Sequence, residues 1–263
     1  MQTIRNIVRA QSIEEAYTLN QKRTNEILGG MLWLKMSKSN VQTAIDLSDL
    51  GLDTVEEDEE CFRIGAMVTL RTLEKHEALN RYCDGAFELA VRDIVGVQFR
   101  NMATIGGSVW GRFGFSDVLT VLMSMDCCVE LYKGGIIPLE EFAAQKYDRD
   151  ILVRVIIKKT PGRFAYKAMR AQHTDFPVLT CAVSCMEGRY KAVIGARPSK
   201  ARAVYDEENI LAGGAGDEAI GRFADYVAKK IPTGSNLRGS AAYRKQLAKV
   251  LTTRALQEIT GRE

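Results

Sequence analysis

The sequence predicts an α+β fold built in three stretches. A small N-terminal parallel βαβ unit is followed by a larger mixed or antiparallel sheet with helices. A C-terminal three-stranded antiparallel sheet with a helical bundle closes the chain. Three observations carry this reading. Strand, helix and strand patterns run in order into Gly29-Gly30; a β-branched run, Ile151–Ile157, reads as a central strand; and the texture changes after Pro161-Gly162, where short alternating strands give way to long helical stripes. The corresponding boundaries are 1–55, 56–161 and 162–263.

The elements follow in order. Residues 2–8 read as a strand, and Ser12 opens a helix as its cap, with Glu15 completing a capping box. Ile27-Leu28 is a brief strand ending at Gly29-Gly30, and Met31–Met36 turns helical. Ala44–Leu47 is a further strand. The acidic run Glu56–Glu60 is a solvated hairpin turn leading into the alternating strand Cys61–Gly65. Thr69 caps a helix, and helical pattern continues with interruptions from Leu79 to Val97, its last part being Phe87–Val97. The stretch Asn101–Asp117 reads as a glycine-rich loop, and Val118–Met125 as a buried helix or strand. Cys127–Tyr132 and Ile136–Leu139 make a hairpin about Lys133–Gly135, and Leu139–Phe142 adds a turn of helix. In the last stretch Gly162–Lys167, Leu179–Met186 and Tyr190–Ile194 form the sheet. Helices then cover Glu207–Leu211, Ala219–Lys229 and Ser240–Ile259, the last with an apolar stripe of Tyr243, Leu247, Val250, Leu251 and Leu256.

Composition narrows the function. The 263 residues carry 36 basic and 33 acidic side chains, a net charge of +3, with no Lys/Arg block interleaved with aromatics, which argues against nucleic acid. No apolar run has the length of a membrane span, and the N-terminus lacks an apolar signal core, so a cytoplasmic protein is expected. The six cysteines include no Cys-x-x-Cys pair and sit in apolar company, which reads as buried reduced thiols rather than a cluster or metal site.

The chemistry-bearing features are two glycine turns. In Asn101–Asp117 four glycines (Gly106, Gly107, Gly111, Gly114) fall among Thr104, Ser108 and Ser116, and Asp117 closes the run. Taken alone it is either an ordinary turn or a concavity of N–H groups for phosphate oxygens. Together with Gly29-Gly30 it makes two such cradles, which suits a dinucleotide better than a mononucleotide. Neither G-x-G-x-x-G after a strand nor a Walker lysine motif is present.

Here the sequence resembles a known family. Arg100-Asn-Met-Ala-Thr-Ile-Gly-Gly-Ser108 is similar to the R-N-x-A-T-I-G-G-N signature of the FAD (medium) subunits of molybdenum hydroxylases of the xanthine dehydrogenase and carbon monoxide dehydrogenase type. Further matches fall in order along nearly the whole chain. They are Ile27–Leu34, Ile64–Leu70, Ser116-Asp117 with the run to Asp126, Phe164–Arg170, and Leu237–Leu251 against R-G-S-A-x-Y-R-x-x-L-A-x-V-L. The resemblance implies FAD as cofactor, with the two Gly-Gly loops holding its pyrophosphate and ribityl chain. Carried over residue by residue, Leu28, Gly29, Gly30, Met31, Leu32 and Trp33 form the first loop; Thr104, Gly106, Gly107 and Ser108 form the second, with Thr104 Oγ as an added donor. Asp117 accepts from a ribityl or ribose hydroxyl, and Ile94, Leu152 and Lys167 contact the flavin. Met31 and Leu32 stand where the family has Thr or Ser and a polar residue, and Ser108 replaces Asn, so side-chain donors are fewer while backbone donors remain. On this count the second loop is expected to carry the binding.

The resemblance further implies a xanthine dehydrogenase-like electron-transfer subunit with no catalytic acid or base of its own. Its partners would be a two-iron, two-sulfur subunit and a molybdopterin-binding subunit, with NAD⁺ or another acceptor taking the electrons. The alternatives are a stand-alone FAD oxidoreductase of this fold and a scaffold subunit that has lost its flavin.

Overall fold

A computed structural model describes residues 3–261. The first sheet is the expected N-terminal unit. β1 (Thr3–Arg9), α1 (Ile13–Asn20), β2 (Asn25–Leu28) and β3 (Asn40–Asp46) give three strands in the order β1-β3-β2, with β3 parallel to both neighbours. The strand expected over 2–8 is β1; Gln2 lies outside the described residues. Ser12 caps α1, its Oγ accepting from Glu15 N–H at 3.1 Å, but Glu15 returns its carboxylate to the Gln11 N–H at 2.8 Å rather than to that of the cap residue. Ile45, Leu47, Ala10 and Ala16 bury the inner side of this sheet with Leu52 and Ile151.

The second sheet follows from β4 (Val55–Glu57) and β5 (Cys61–Gly65), whose hairpin turn is the acidic run. Asp58 tightens that turn by accepting from the Glu60 and Cys61 N–H groups, both at 2.8 Å, and it pairs with Arg63. Short helices come next: α2 (Leu70–Glu74), α3 (Glu77–Tyr82), α4 (Ala86–Val91), α5 (Val97–Met102), α6 (Ile105–Trp110) and α7 (Asp117–Met123). Thr69 caps α2 as expected, accepting from Thr72 N–H at 3.1 Å. β6 (Cys127–Leu131), β7 (Gly135–Pro138), α8 (Leu139–Ala144) and β8 (Leu152–Lys158) complete a five-stranded sheet of order β4-β5-β8-β6-β7, with β8 at its centre.

The third sheet is antiparallel: β9 (Gly162–Arg170), β10 (Pro177–Met186), β11 (Arg189–Gly195) and β12 (Arg202–Tyr205), in the order β12-β11-β10-β9. α9 (Asp217–Lys230) and α10 (Ala241–Ile259) bury Phe223, Val227, Leu247, Leu251 and Leu256 against Leu179, Cys181, Val183 and Ile194. Each such side chain withdrawn from water contributes about 1.5–3 kcal/mol.

By contact density the described chain forms two units interleaved in sequence. The first runs through Thr72 and takes in Val97–Gly111 and Cys127–Ile157. The second comprises Leu73–Gly96, Arg112–Asp126 and the chain from Lys158 onward.

Several expectations need correction. The C-terminal sheet has four strands, not three, because Arg202–Tyr205 pairs with β11. Glu207–Leu211 forms turns, not a helix: the Asp206 carboxylate accepts from the Ile210 and Leu211 N–H groups at 2.9 and 2.8 Å, which satisfies donors a helix would need. The helix expected over Phe87–Val97 ends at Val91, and Val95 stands in the left-handed region at φ 52°. Asn101–Asp117 is not a loop throughout, since Gly106 and Gly107 lie in the first turn of α6. Val118–Met125 resolves to a helix with every residue of α7 buried. Within the α10 stripe, Tyr243 is exposed.

The six cysteines are reduced thiols, four buried and two half-buried. Burial pushes the Cys83 thiol up to about 11 and that of Cys181 to about 12, so both stay protonated. Among the described residues no helix is long and apolar enough to cross a membrane.

Candidate functional site

The two glycine turns meet in the first unit. β2 ends at Leu28 and delivers Gly29-Gly30 against the chain that leads from α5 into α6. A Cβ on Gly30 would lie 1.8 Å from the Met102 carbonyl oxygen, and one on Gly29 would lie 3.0 Å from Thr104 Oγ1 and 3.8 Å from the Cα of Gly107. Only glycine lets the two main chains approach this closely. The second turn is anchored separately. Ile105 N–H donates to Val68 O at 2.9 Å and Leu70 N–H to Ala103 O at 2.8 Å, an antiparallel bridge between Thr69 and Thr104.

The donors are distributed unequally. In the second turn Gly106 N–H is given to Ala66 O at 2.8 Å, and Gly107 N–H to Thr104 Oγ1 at 3.1 Å. Ser108 N–H and Ser108 Oγ both go to Thr104 O, at 3.1 and 2.9 Å. Thr104 is therefore the N-cap of α6, its Oγ1 accepting from Gly107 while its own O–H remains a donor. Gly106 is a packing glycine, for its Cβ would lie 2.6 Å from Ala66 O. In the first turn the N–H groups of Gly29, Gly30, Met31 and Leu32 donate to no other described residue. Met31 holds the left-handed conformation at φ 59°, which ends the turn before the 3₁₀ segment Leu34–Met36. Leu32 is buried and Trp33 partly exposed. Four consecutive unspent N–H groups form a concavity of the kind that holds phosphate oxygens.

Beside this contact lies a cavity of about 140 Å³ that belongs wholly to the first unit. Leu28, Gly29, Thr104, Gly106, Gly107 and Leu152 line it, so six of the sequence-expected residues share one wall. Sequence reasoning missed its charged lining, Glu26, Asp148, Arg149 and Asp150. The signal available was the polar run Tyr147-Asp-Arg-Asp150 directly ahead of the central strand.

Gly30, Met31, Leu32, Trp33 and Ser108 also lie in the first unit, whereas Ile94, Asp117 and Lys167 lie in the second. Asp117, at the first position of α7, is buried; Tyr166 donates its hydroxyl and Arg170 its Nη2 (2.6 Å) to it, both bonds falling on Oδ1. Burial pushes the Asp117 carboxyl up to about 6 against the opposing pull of Arg170 and Tyr166. The same burial raises the Tyr166 hydroxyl well above its ordinary value. Lys167, on β9, is ion-paired with Glu258 of α10, each about a quarter exposed. Ile94 is half-buried beside Val95. Tyr166 and Arg170 were visible only as part of the Phe164–Arg170 match, and Glu258 was not visible at all.

A cradle that a Cβ would fill, four unspent N–H groups and an adjacent cavity fit the pyrophosphate and one end of a dinucleotide such as FAD. Comparisons with known proteins agree. The model of the FAD binding domain in molybdopterin dehydrogenase matches residues 2–159, and that of the CO dehydrogenase flavoprotein C-terminal domain matches residues 164–259. The Escherichia coli K12 protein YgfM is 30% identical over 255 residues, covering 94% of this chain and 93% of YgfM. The nicotine 6-hydroxylase medium subunit of Paenarthrobacter nicotinovorans is 27% identical, with 95% of each covered. The glyceraldehyde dehydrogenase medium chain of Sulfolobus acidocaldarius is 23% identical, covering 96% of this chain and 97% of that one. Among solved structures, carbon monoxide dehydrogenase from Hydrogenophaga pseudoflava superposes with a TM-score of 0.87 at 20% identity, covering 98% of this chain and 97% of that one. Quinoline 2-oxidoreductase from Pseudomonas putida 86 gives the same TM-score at 17% identity, with 99% and 98% covered. With one model matching more than half of the chain and a second most of the remainder, the chain belongs to the family of FAD-binding flavoprotein subunits of molybdopterin dehydrogenases, and its cofactor is FAD.

Proposed function

We propose that this chain is the electron-transfer subunit of a xanthine dehydrogenase-like molybdenum hydroxylase. Electrons arrive from the iron-sulfur clusters of one partner subunit, whose own source is a molybdopterin-binding subunit, and leave to NAD⁺ or another acceptor. Its supports are the family membership, the two relatives that are medium subunits of dehydrogenase and hydroxylase enzymes, and the contact between the two glycine turns. The contact is the observation that best supports the reading, because four adjacent backbone N–H groups are left unspent beside it, as a pyrophosphate site requires.

Bound FAD supplies the redox chemistry; the chain supplies position and electrostatics. The N–H groups of Gly29 to Leu32 hold phosphate oxygens, and the close contact at Gly30 and Met102 fixes where those donors sit. Thr104 keeps the first turn of α6 closed against the same backbone. Leu28 and Leu152 give the cavity an apolar wall that excludes water from the ligand. Asp117, Ile94 and Lys167 are assigned to the flavin by family resemblance. In sequence order the stretches 1–55 and 56–161 are the proposed cofactor-binding modules and 162–263 the accompanying C-terminal module.

Purification of the chain with its native partners tests the proposal. It requires flavin released as FAD, together with iron and molybdenum in the co-purifying subunits. A chain that retains FAD but elutes alone would be a stand-alone oxidoreductase, and one with no flavin absorbance, unable to take up added FAD, would be a scaffold.

A further inference from the structure

Among the residues that line the cavity beside the glycine contact, Trp110 alone is aromatic. It is the last residue of α6, and in a helix the residues three and four places back share its face. Here those residues are Gly107 and Gly106, and both line the same cavity. A helical side chain leans back over the preceding turn, so the indole is directed over two residues that have no side chain. Ala66 accounts for the glycine at 106, but position 107 is different. Adjoining residues apart, a Cβ on Gly107 would meet only Thr104 Oγ1, at 3.2 Å, and the indole does not come within 4 Å of it. The space over Gly107 is therefore an open slot with the indole on one side. The indole is also held in place. Buried Phe142 packs on it with ring centroids 5.7 Å apart and a tilt of 47°. Gly111 N–H donates to Gly107 O at 3.1 Å, and Tyr147 donates its hydroxyl to Gly111 O, which fixes the backbone just beyond Trp110. Even so, Trp110 is only half-buried.

We propose that Trp110 is a binding residue for FAD, its indole stacking on a planar heteroaromatic ring of the cofactor seated over Gly107. The inference rests on the FAD reading above and adds a side chain that the family motifs quoted from this sequence do not include. Position favours a ring in the slot. A Cβ on Gly29 would lie 3.8 Å from the Gly107 Cα, so a pyrophosphate on the first glycine turn delivers one end of the dinucleotide directly beside it. Charge favours it too. Glu26, Asp148 and Asp150 line the cavity against Arg149 alone, which disfavours a phosphate there and suits an uncharged part of the ligand. Leu28, Met67 and Leu152 add apolar surface. Adenine and isoalloxazine both present the π-face that an indole recognises, and an indole already fixed by its neighbours loses little on binding either.

The test titrates FAD calorimetrically into full-length protein stripped of its flavin, as the wild type, Trp110→Leu and Trp110→Phe. Leucine keeps apolar bulk without a ring; phenylalanine keeps a ring. Trp110→Leu should weaken FAD about five- to fiftyfold, the range for a base stacked on an aromatic side chain, while Trp110→Phe stays within about threefold of the wild type. Unchanged binding by Trp110→Leu overturns the inference, and so does an equal loss in both variants, which would mark Trp110 as a packing residue of α6. ADP and FMN, run as competitors, name the ring. A loss confined to ADP assigns adenine, one confined to FMN assigns isoalloxazine, and a loss in both assigns a slot open to either. Should Trp110→Leu not fold, the intact chain labelled with 5-fluorotryptophan answers instead. The sequence has two tryptophans, and Trp33→Phe assigns their fluorine signals. Added FAD must then move the Trp110 signal through the ring current of the stacked ring, and a signal that stays in place overturns the inference. If the wild type takes up no FAD, the FAD reading itself falls; if it binds FAD and Trp110→Leu matches it, only the role of Trp110 falls.

Discussion

Replacing Gly30 with alanine adds one methyl group at the point where the two glycine turns touch. That methyl would lie 1.8 Å from the Met102 carbonyl oxygen, 2.6 Å from its carbon and 3.1 Å from Ala103 N, where ordinary contact begins at 3.4 Å. Every one of these atoms is main chain, so no side-chain rotation relieves the overlap and the turn itself must move. Overpacking of this kind costs about 1–3 kcal/mol, which in a chain of this size lowers the melting temperature by roughly 2–10 °C. The larger consequence is for ligand binding, because the displaced segment carries the unspent N–H groups of Gly29 to Leu32. Losing alignment on two of those donors should weaken FAD by about tenfold or more, at roughly 0.5–1.5 kcal/mol for each hydrogen bond. Gly29→Ala is the control: its methyl meets Thr104 Oγ1 at 3.0 Å, a side-chain atom that can swing aside. Thermal unfolding and FAD titration of both variants decide the matter. If Gly30→Ala melts with the wild type and binds FAD as tightly, the close approach is not what sets the cradle.

Four further outcomes are expected. Because burial holds the folded Asp117 pKa near 6, above the ordinary carboxylate value, its contribution to stability falls as pH rises through that window. The wild type should therefore lose stability relative to Asp117→Asn between about pH 4 and 6, by up to about 3 kcal/mol, read from denaturant midpoints across pH. Arg244 is buried and donates to the Val178, Gly234 and Gly239 carbonyls and to Asn236 Oδ1; Arg244→Lys strips most of that fork and should cost about 3–5 kcal/mol in calorimetric stability. Glu258→Gln removes the partner of a quarter-exposed ion pair and should change stability by less than about 1 kcal/mol, so a loss several times larger in denaturant titration would count against a screened pair. Met31→Thr adds a hydroxyl beside main-chain donors already in place, while a β-branched residue is strained at the left-handed φ of 59°; FAD affinity should therefore rise by no more than about tenfold in a fluorescence titration.

Much of the fold could be read from the chain because its signals are local. Ser12 and Thr69 cap the helices they precede, the acidic run makes the turn between β4 and β5, and the β-branched Ile151–Ile157 run falls on the central strand. What escaped depends on partners far along the chain. Gly106-Gly107 reads as a turn because glycine pairs usually are; both are helical because Thr104 caps α6, and position 106 is glycine because Ala66 leaves no room there for a side chain. Arg202–Tyr205 is four residues long and gains its pairing only from β11. The family motifs identified which backbone forms the candidate site, yet motif letters say nothing about which N–H groups are already engaged.

That engagement decides how the two turns divide the work. From side-chain chemistry the second turn looked the stronger, since it keeps Thr104 and Ser108 while the first has exchanged polar residues for Met31 and Leu32. The structure inverts the balance of free main-chain donors: Thr104 Oγ1 caps α6, the Ser108 hydroxyl bonds back to Thr104 O, and the glycine N–H groups are spent on Thr104 and Ala66. The first turn, with apolar side chains, keeps four main-chain donors unspent. Substitution at 31 and 32 is then tolerable for a physical reason, because an N–H group belongs to every residue except proline and survives any exchange that preserves the backbone path. The residues under constraint are those whose lack of a side chain sets the path: Gly30 against Met102 and Gly106 against Ala66. A loop that has lost its polar letters can keep its phosphate-holding geometry, because that geometry resides in the glycine contacts and the main chain.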